Sequence, residues 1–332
     1  MRDFILKRKK NRAIAKETVL FIFFACFAVL LCVSGKGAEF TVGGIGLWAN
    51  MILPALFPYF FITAALGKLG VTEKLAAKLS PVTEKVFNLP GIVSYAIFTS
   101  FISGYPIGAK IVSDLKNNEL ITETESVRAS ALCSVASPAF IIGGIGGAFS
   151  SVNFGIALFC SHLLSAILTG VLFSFYKRKE RPTKPARQKS CEENADNILY
   201  ECAYSAVISI LTVGGIITIF YVITELLCFI GAFDLPIRIL QGFLGEEYAA
   251  KGAVLGFFEF TKGINALKVA GATETAFILS AAICGFGGLS AIFQSLAYLK
   301  KAKIKTVPFI LSKMLGAVIN AVMAFIVYSL FF

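Results

Sequence analysis

The sequence predicts an all-α polytopic membrane protein: two inverted-topology repeats, each with a re-entrant helical hairpin and broken helices, after an extra N-terminal transmembrane helix. Three observations predict it. The chain is far more apolar than a soluble domain, its apolar segments recur in the same order in two halves, and Gly or Pro interrupts corresponding segments of each half.

Hydrophobic residues make up 57% of the 332 residues and charged residues 15%, with a mean hydropathy of +0.78. A helix needs about 20 mostly apolar residues to cross a hydrocarbon core of about 30 Å. Segments 17–35, 44–67, 154–176, 204–231 and 307–332 qualify, whereas 91–115, 129–149 and 252–269 are apolar but interrupted. Residues 1–16 form a basic N-terminus that could precede a signal peptide. No A-x-A site follows, and Leu31 fits poorly before a lipobox Cys32, so 17–35 is expected to stay as an uncleaved first span.

The polar, basic stretch 177–197 is the linker between two membrane halves, 44–176 and 198–332. The segment holding Trp48, Pro54 and Pro58 corresponds to 204–231, and the stretch from Phe101 to Gly108 to that from Phe258 to Asn265. Ser137-Pro138 with Gly143-Gly144 corresponds to the run from Gly285 to Ser290, and Ser161-His162-Leu163 to Ser312-Lys313-Met314.

Of the 31 Lys and Arg, 24 fall in 1–16, 68–90, 116–128, 177–197 and 300–305, which the positive-inside rule assigns to the cytoplasm. Parity supports this assignment. Only if 91–115 enters the membrane and returns do the basic N-terminus and the basic linker lie on one side. About a dozen residues on either side of Gly104-Tyr105-Pro106 also reach only about 18 Å, too little to span. The same reasoning makes 252–269 a hairpin from the opposite face. Each half then crosses three times, and the odd number inverts the second half. Such repeats with discontinuous helices are how many secondary transporters build a midplane site.

The candidate site follows from these breaks. At the first tip, Ser103, Gly104, Tyr105, Pro106, Gly108 and Lys110 should interrupt the helix, because proline removes a donor and glycine admits conformations closed to other residues. The freed backbone groups must face protein, water or a ligand, and a half-helix N-terminus favours an anion. Ser134 and Ser137, with Gly287, Gly288, Ser290 and Gln294 as their repeat counterparts, form facing broken segments, although small residues also serve close helix packing. The second hairpin supplies Glu259, Thr261, Lys262, Gly263 and Asn265.

An ionisable residue at membrane depth is costly, so Glu259 should pair, carry a proton or help bind Na⁺, and Lys110 across the tips is one partner it could take. A permanent structural ion pair is the alternative. His162 could relay protons or simply pack through a hydrogen bond. Glu225, toward the end of its helix, carries little functional weight.

No phosphate-binding loop, G-x-S-x-G or H-E-x-x-H occurs, and His162 is the only histidine, so the pattern points away from an enzyme. No CxxC pair occurs, and no metal or bound cofactor is expected. The net charge of +11 lies in tracts that flank spans, without the interleaved aromatics of a nucleic-acid groove. The expected partners are a small-molecule solute and membrane lipids, with Na⁺ or H⁺ as coupling ion.

With Leu89-Pro90-Gly91, the run from Ser103 to Lys110, Ser137-Pro138, His162, the run from Glu259 to Gly263, and Phe286 to Ser290 with Gln294, the chain resembles the sporulation integral membrane proteins of the YlbJ type, within the nucleoside-recognition (Gate) domain group. It departs from that pattern at Ala136, where a polar residue is expected, and at Lys262, where Asn is expected. The resemblance implies a multi-pass protein of a bacterial cytoplasmic membrane in an endospore former, with homo-oligomers or sporulation membrane proteins as further partners. It also implies similarity to the hairpin-bearing domain of concentrative nucleoside transporters.

The leading expectation is a transporter or permease for a small polar, anionic solute, with a dicarboxylate such as dipicolinate favoured. A Na⁺- or H⁺-coupled nucleoside transporter is the nearest variant. A non-transporting scaffold or sensor acting through the linker 177–197 is the rival from another class.

Overall fold

In the computed structural model the described residues are 24–180 and 197–332, together with 18, 21, 182 and 183. The basic N-terminus 1–16 and most of the linker lie outside them. A short apolar helix α1 (Phe24–Ser34) leads into α2 (Gly37–Lys68), which is interrupted by a π-helical turn at Trp48–Ile52 just before Pro54. Seven elements then form each half, in one order.

The first half runs α2, α3 (Val71–Phe87), α4 (Val93–Ser103), α5 (Ile107–Asn117), α6 (Glu123–Leu132), α7 (Ala139–Ala148) and α8 (Val152–Ser174). The second runs α9 (Ile198–Phe229), α10 (Asp234–Leu244), α11 (Glu247–Phe258), α12 (Phe260–Leu267), α13 (Glu274–Phe286), α14 (Gly288–Lys301) and α15 (Thr306–Phe331). The long helices α2, α8, α9, α15 and the broken pair α13–α14 are long and apolar enough to cross a bilayer. The protein is a multi-pass, all-helical membrane protein whose halves are inverted repeats, each carrying one hairpin: α4–α5 in the first and α11–α12 in the second.

The hairpin arms match the sequence argument. Both α4 and α5 have 11 residues, about 16 Å of helix, so neither spans. The amphipathic helices α3 and α10 were expected only as loops. They pack one face on the protein and leave Val82, Val86, Leu235 and Ile239 exposed, the pattern of helices lying along an interface.

Arg128 was counted among cytoplasmic loop charges, but it is 1% exposed. From α6 its guanidinium donates to the carbonyls of Asn88, Tyr176, Lys177 and Glu180 at 2.8–3.3 Å, tying the ends of α3 and α8 together. Nearby, Glu125 closes a capping box with Thr122 and accepts from the Thr183 amide at 2.7 Å, so α6 also holds the first part of the linker.

The glycines divide into two groups. A Cβ on Gly108 would fall 1.9 Å from the Cys133 carbonyl oxygen, and one on Gly263 would fall 2.4 Å from Gly256 Cα. These positions let hairpin backbones touch their neighbours. Gly143, read from sequence as part of a broken segment, has nothing within 4 Å of such a Cβ, nor has Gly147, whereas Gly146 packs against Gly155.

Candidate functional site

Four short helices begin around one point inside the protein. The N-termini of α5, α7, α12 and α14 open on a small cavity lined by Gly104 and Tyr105, Ala136, Ser137 and Phe140, Glu259 and Phe260, and Ser290, Ala291 and Gln294. Ile52 and Leu56 of α2 and Val213 and Ile217 of α9 complete the wall. Each helix starts here for a local reason. Pro106 directly precedes α5, Ser137 accepts from the Phe140 amide to cap α7, Glu259 accepts from the Lys262 amide to cap α12, and Gly287 (φ 86°) turns α13 into α14. The Tyr105–Pro106 peptide is cis. No side chain caps α5 or α14. The Ile107 amide of α5 donates to the Gly104 carbonyl at 3.2 Å, and the positive ends of both helix dipoles lie near the cavity.

Glu259 is fully buried, and its carboxylate is surrounded by donors: the Thr261 hydroxyl at 3.1 Å, the Lys262 amide at 2.9 Å and the Ser290 hydroxyl at 3.5 Å. The ion pair with Lys110 considered from sequence is not formed, because the two side chains face different spaces. Lys110 donates to Ser205 at 3.3 Å in a vestibule of about 860 Å³ near the start of α9, alongside Asp114 and Asn118. Lys262 points the other way. It pairs with Glu225 at 2.6 Å and lies 4.5 Å from the Tyr221 ring, in a vestibule of about 1340 Å³ near the end of α9 that also holds Asn265. Glu225, given little weight from sequence, is thus the partner of a hairpin lysine.

The remaining predicted residues lie between cavity and scaffold. Ser103 reaches the Tyr59 carbonyl at 3.4 Å. Pro106, Gly108 and Gly263 shape the hairpins, and Gly288 (φ 72°) brings α14 close to Phe260. Gln294 is 4% exposed, lines the cavity, and has no hydrogen-bond partner for its amide among the described residues. The Tyr105 hydroxyl is buried and likewise unpartnered.

His162 and Lys313, at equivalent repeat positions, both serve the break between α6 and α7. His162 Nε2 accepts from the Ala136 amide at 2.9 Å, and Lys313 Nζ donates to the Ser134 carbonyl at 2.8 Å. His162 therefore meets backbone on one side and, at Nδ1, the Asn320 amide at 3.1 Å. Sequence reasoning did not place Lys313, Asn320, Phe140 or Phe260 in the site. The alignment of His162 with Lys313 was the available signal for Lys313. No group of three or more His, Cys, Asp or Glu that could hold a metal occurs among the described residues.

Broken helices meeting at an internal cavity between two repeats define a transporter-like membrane fold. No protein-family model matches the chain. It is 25% identical over 342 aligned positions to the sporulation integral membrane protein YlbJ of Bacillus subtilis (strain 168), covering 94% of this chain and 83% of that protein. Among solved structures it is similar to the nucleoside transporter CNTnw. A variant in an outward-facing state matches with a TM-score of 0.53 at 19% identity, covering 91% of this chain and 83% of that one. CNTnw in an inward-facing substrate-bound state matches with a TM-score of 0.50 at 16% identity over the same shares.

Proposed function

We propose that the chain is a secondary transporter carrying a small anionic solute, a dicarboxylate of the dipicolinate kind, across a membrane of a sporulating bacterium, with the N-terminus and linker 177–197 cytoplasmic. The repeat units are 44–176 and 198–332. One observation carries the reading: the uncapped N-termini of α5 and α14 open on a single buried cavity beside the unpartnered Gln294 amide. Two positive helix ends and a free amide suit a carboxylate. The sporulation setting is supported by the likeness to YlbJ.

Glu259 gives the reading its coupling. An anion entering beside a buried carboxylate is repelled unless a cation enters with it. The Thr261 and Ser290 hydroxyls beside Glu259 can turn to accept from a protonated carboxyl as well as donate to the carboxylate, so the site serves both forms of a proton-carrying residue. We assign Glu259 as the coupling residue and H⁺ as the ion.

Purified protein reconstituted in vesicles with an imposed proton gradient should accumulate labelled dipicolinate, and unlabelled dicarboxylates should compete. Uptake that neither a proton gradient nor a Na⁺ gradient drives would reject the reading. The nucleoside variant has one observation in its favour: Tyr105, Phe140 and Phe260 form an aromatic wall, with Phe140 and Phe260 centroids 4.7 Å apart, on which a base could stack. Competition by uridine or adenosine, with none by dicarboxylates, would select it.

A further inference from the structure

Lys313 is 4% exposed in the interior, and no carboxylate among the described residues pairs with it. Its partners are neutral: the Ser134 carbonyl, the Tyr105 ring at 5.6 Å from Nζ, and Cys284, close enough for electrostatic contact. A buried ammonium without a counter-charge is unfavourable, and in a membrane interior such a residue ordinarily faces a partner or a substrate path. Tyr105 also lines the cavity, so Lys313 and the cavity share this ring as a neighbour. A Cβ placed on Gly287, at the start of α14, would sit 3.7 Å from Lys313 Cε and 3.6 Å from the Tyr105 ring, so the lysine stem runs along the turn that leads into the uncapped helix end.

We propose that Lys313 is the specificity-determining residue of this site, its charge beside Tyr105 and the Gly287 turn selecting a carboxylate seated on the N-termini of α5 and α14. The inference rests on the anionic-solute reading and adds the source of its charge. Lys313 is not among the cavity-lining residues and acts without touching the solute, because a charge interaction over several ångströms stays substantial where water is excluded. The helix ends and Gln294 orient the ligand and would serve a neutral amide nearly as well. The lysine distinguishes the two.

The test is a cycle between one charge on the ligand and one on the protein. Binding of dipicolinate and of its neutral diamide, pyridine-2,6-dicarboxamide, is measured by calorimetry on the full chain in detergent, for the wild type and for Lys313→Gln. The wild type should prefer the dicarboxylate. Lys313→Gln should weaken dipicolinate about tenfold or more and leave the diamide within about twofold, as expected for a charge term across a poorly solvated gap. Cys284→Asp gives the lysine an internal partner and should cause the same selective loss with Lys313 in place. It decides the question if Lys313→Gln does not fold.

Unchanged preference for the dicarboxylate in a folded variant overturns the role of Lys313 and leaves the anionic-solute reading standing. A wild type that binds the diamide as well as the dicarboxylate, or binds neither, overturns both.

Discussion

Arg128 shows how a charge can be structural inside a transporter-like fold. Four carbonyls at the ends of α3 and α8 depend on one guanidinium. Arg128→Ala would remove the donor these part-buried carbonyls share, and the loss should cost on the order of 1–3 kcal/mol. Arg128→Lys offers a single ammonium in place of a planar fork and should recover only part of it. Melting of the purified variants in detergent would give the order wild type, Lys, Ala. Glu259 poses the opposite case, a charge whose proposed work is coupling. Glu259→Gln mimics the protonated residue, so exchange of solute across the vesicle should persist while proton-driven accumulation is lost. Accumulation that still follows the proton gradient in this variant would remove Glu259 from its assigned role. From sequence, Glu259 was visible as a charge among apolar neighbours and Arg128 as one of the cytoplasmic loop charges. Their partners were not, because Arg128 and Glu259 bind backbone and hydroxyl groups that carry no mark in the pattern of residue types.

At the scale of elements, the hairpins were legible because Pro and Gly act locally and because a dozen residues cannot span a bilayer. The interfacial helices α3 and α10 were not, since their mixed composition reads as loop until a membrane surface gives the apolar face a place to lie. The π-helical turn at Trp48–Ile52 was hidden for a related reason: Gly214 on α9 takes the Trp48 indole so closely that an added Cβ would fall 2.5 Å away. That is a contact between elements far apart in sequence. The glycines permit a sharp comparison. Gly108→Ala and Gly263→Ala should each disrupt a hairpin and abolish folding or transport, because the added methyl meets backbone that cannot move aside. Gly147→Ala, with open space around it, should behave as wild type in size-exclusion profile and uptake. Equal effects at all three would show that hairpin packing is not the constraint.

Across the whole molecule, α9 joins what the two repeats do separately. Its 32 residues extend about 48 Å. Near one end Ser205 accepts from Lys110 of the first hairpin, and near the other Glu225 holds Lys262 of the second, while Val213 and Ile217 line the cavity between. If these contacts hold the hairpins closed on their two sides, Lys262→Glu should impair uptake and the charge exchange Lys262→Glu with Glu225→Lys should restore part of it. No recovery in the double variant would make the pair incidental. The parity argument has its own check. Single cysteines at Leu120 and Ala272, in a background without the native cysteines, should react with membrane-impermeant reagent from opposite faces, and labelling from one face would undo the inversion. The parity argument draws on the sequence alone because charge bias is summed over the whole chain. The contents of the cavity were readable only in part, because they depend on which hairpin residues turn inward.

The hydrogen bond from Lys313 to the Ser134 carbonyl crosses from the last helix of the chain to a break in the first half. It bears on how the protein is made. A ribosome that has delivered α1 to α8 has placed an interrupted helix in lipid whose exposed carbonyl must wait for a donor more than a hundred residues away, and unsatisfied backbone is poorly tolerated there. The first half should therefore be a transient client of the insertion and quality-control machinery. A chain truncated after residue 197 should be degraded in cells, and the missing half supplied as a separate polypeptide should rescue it.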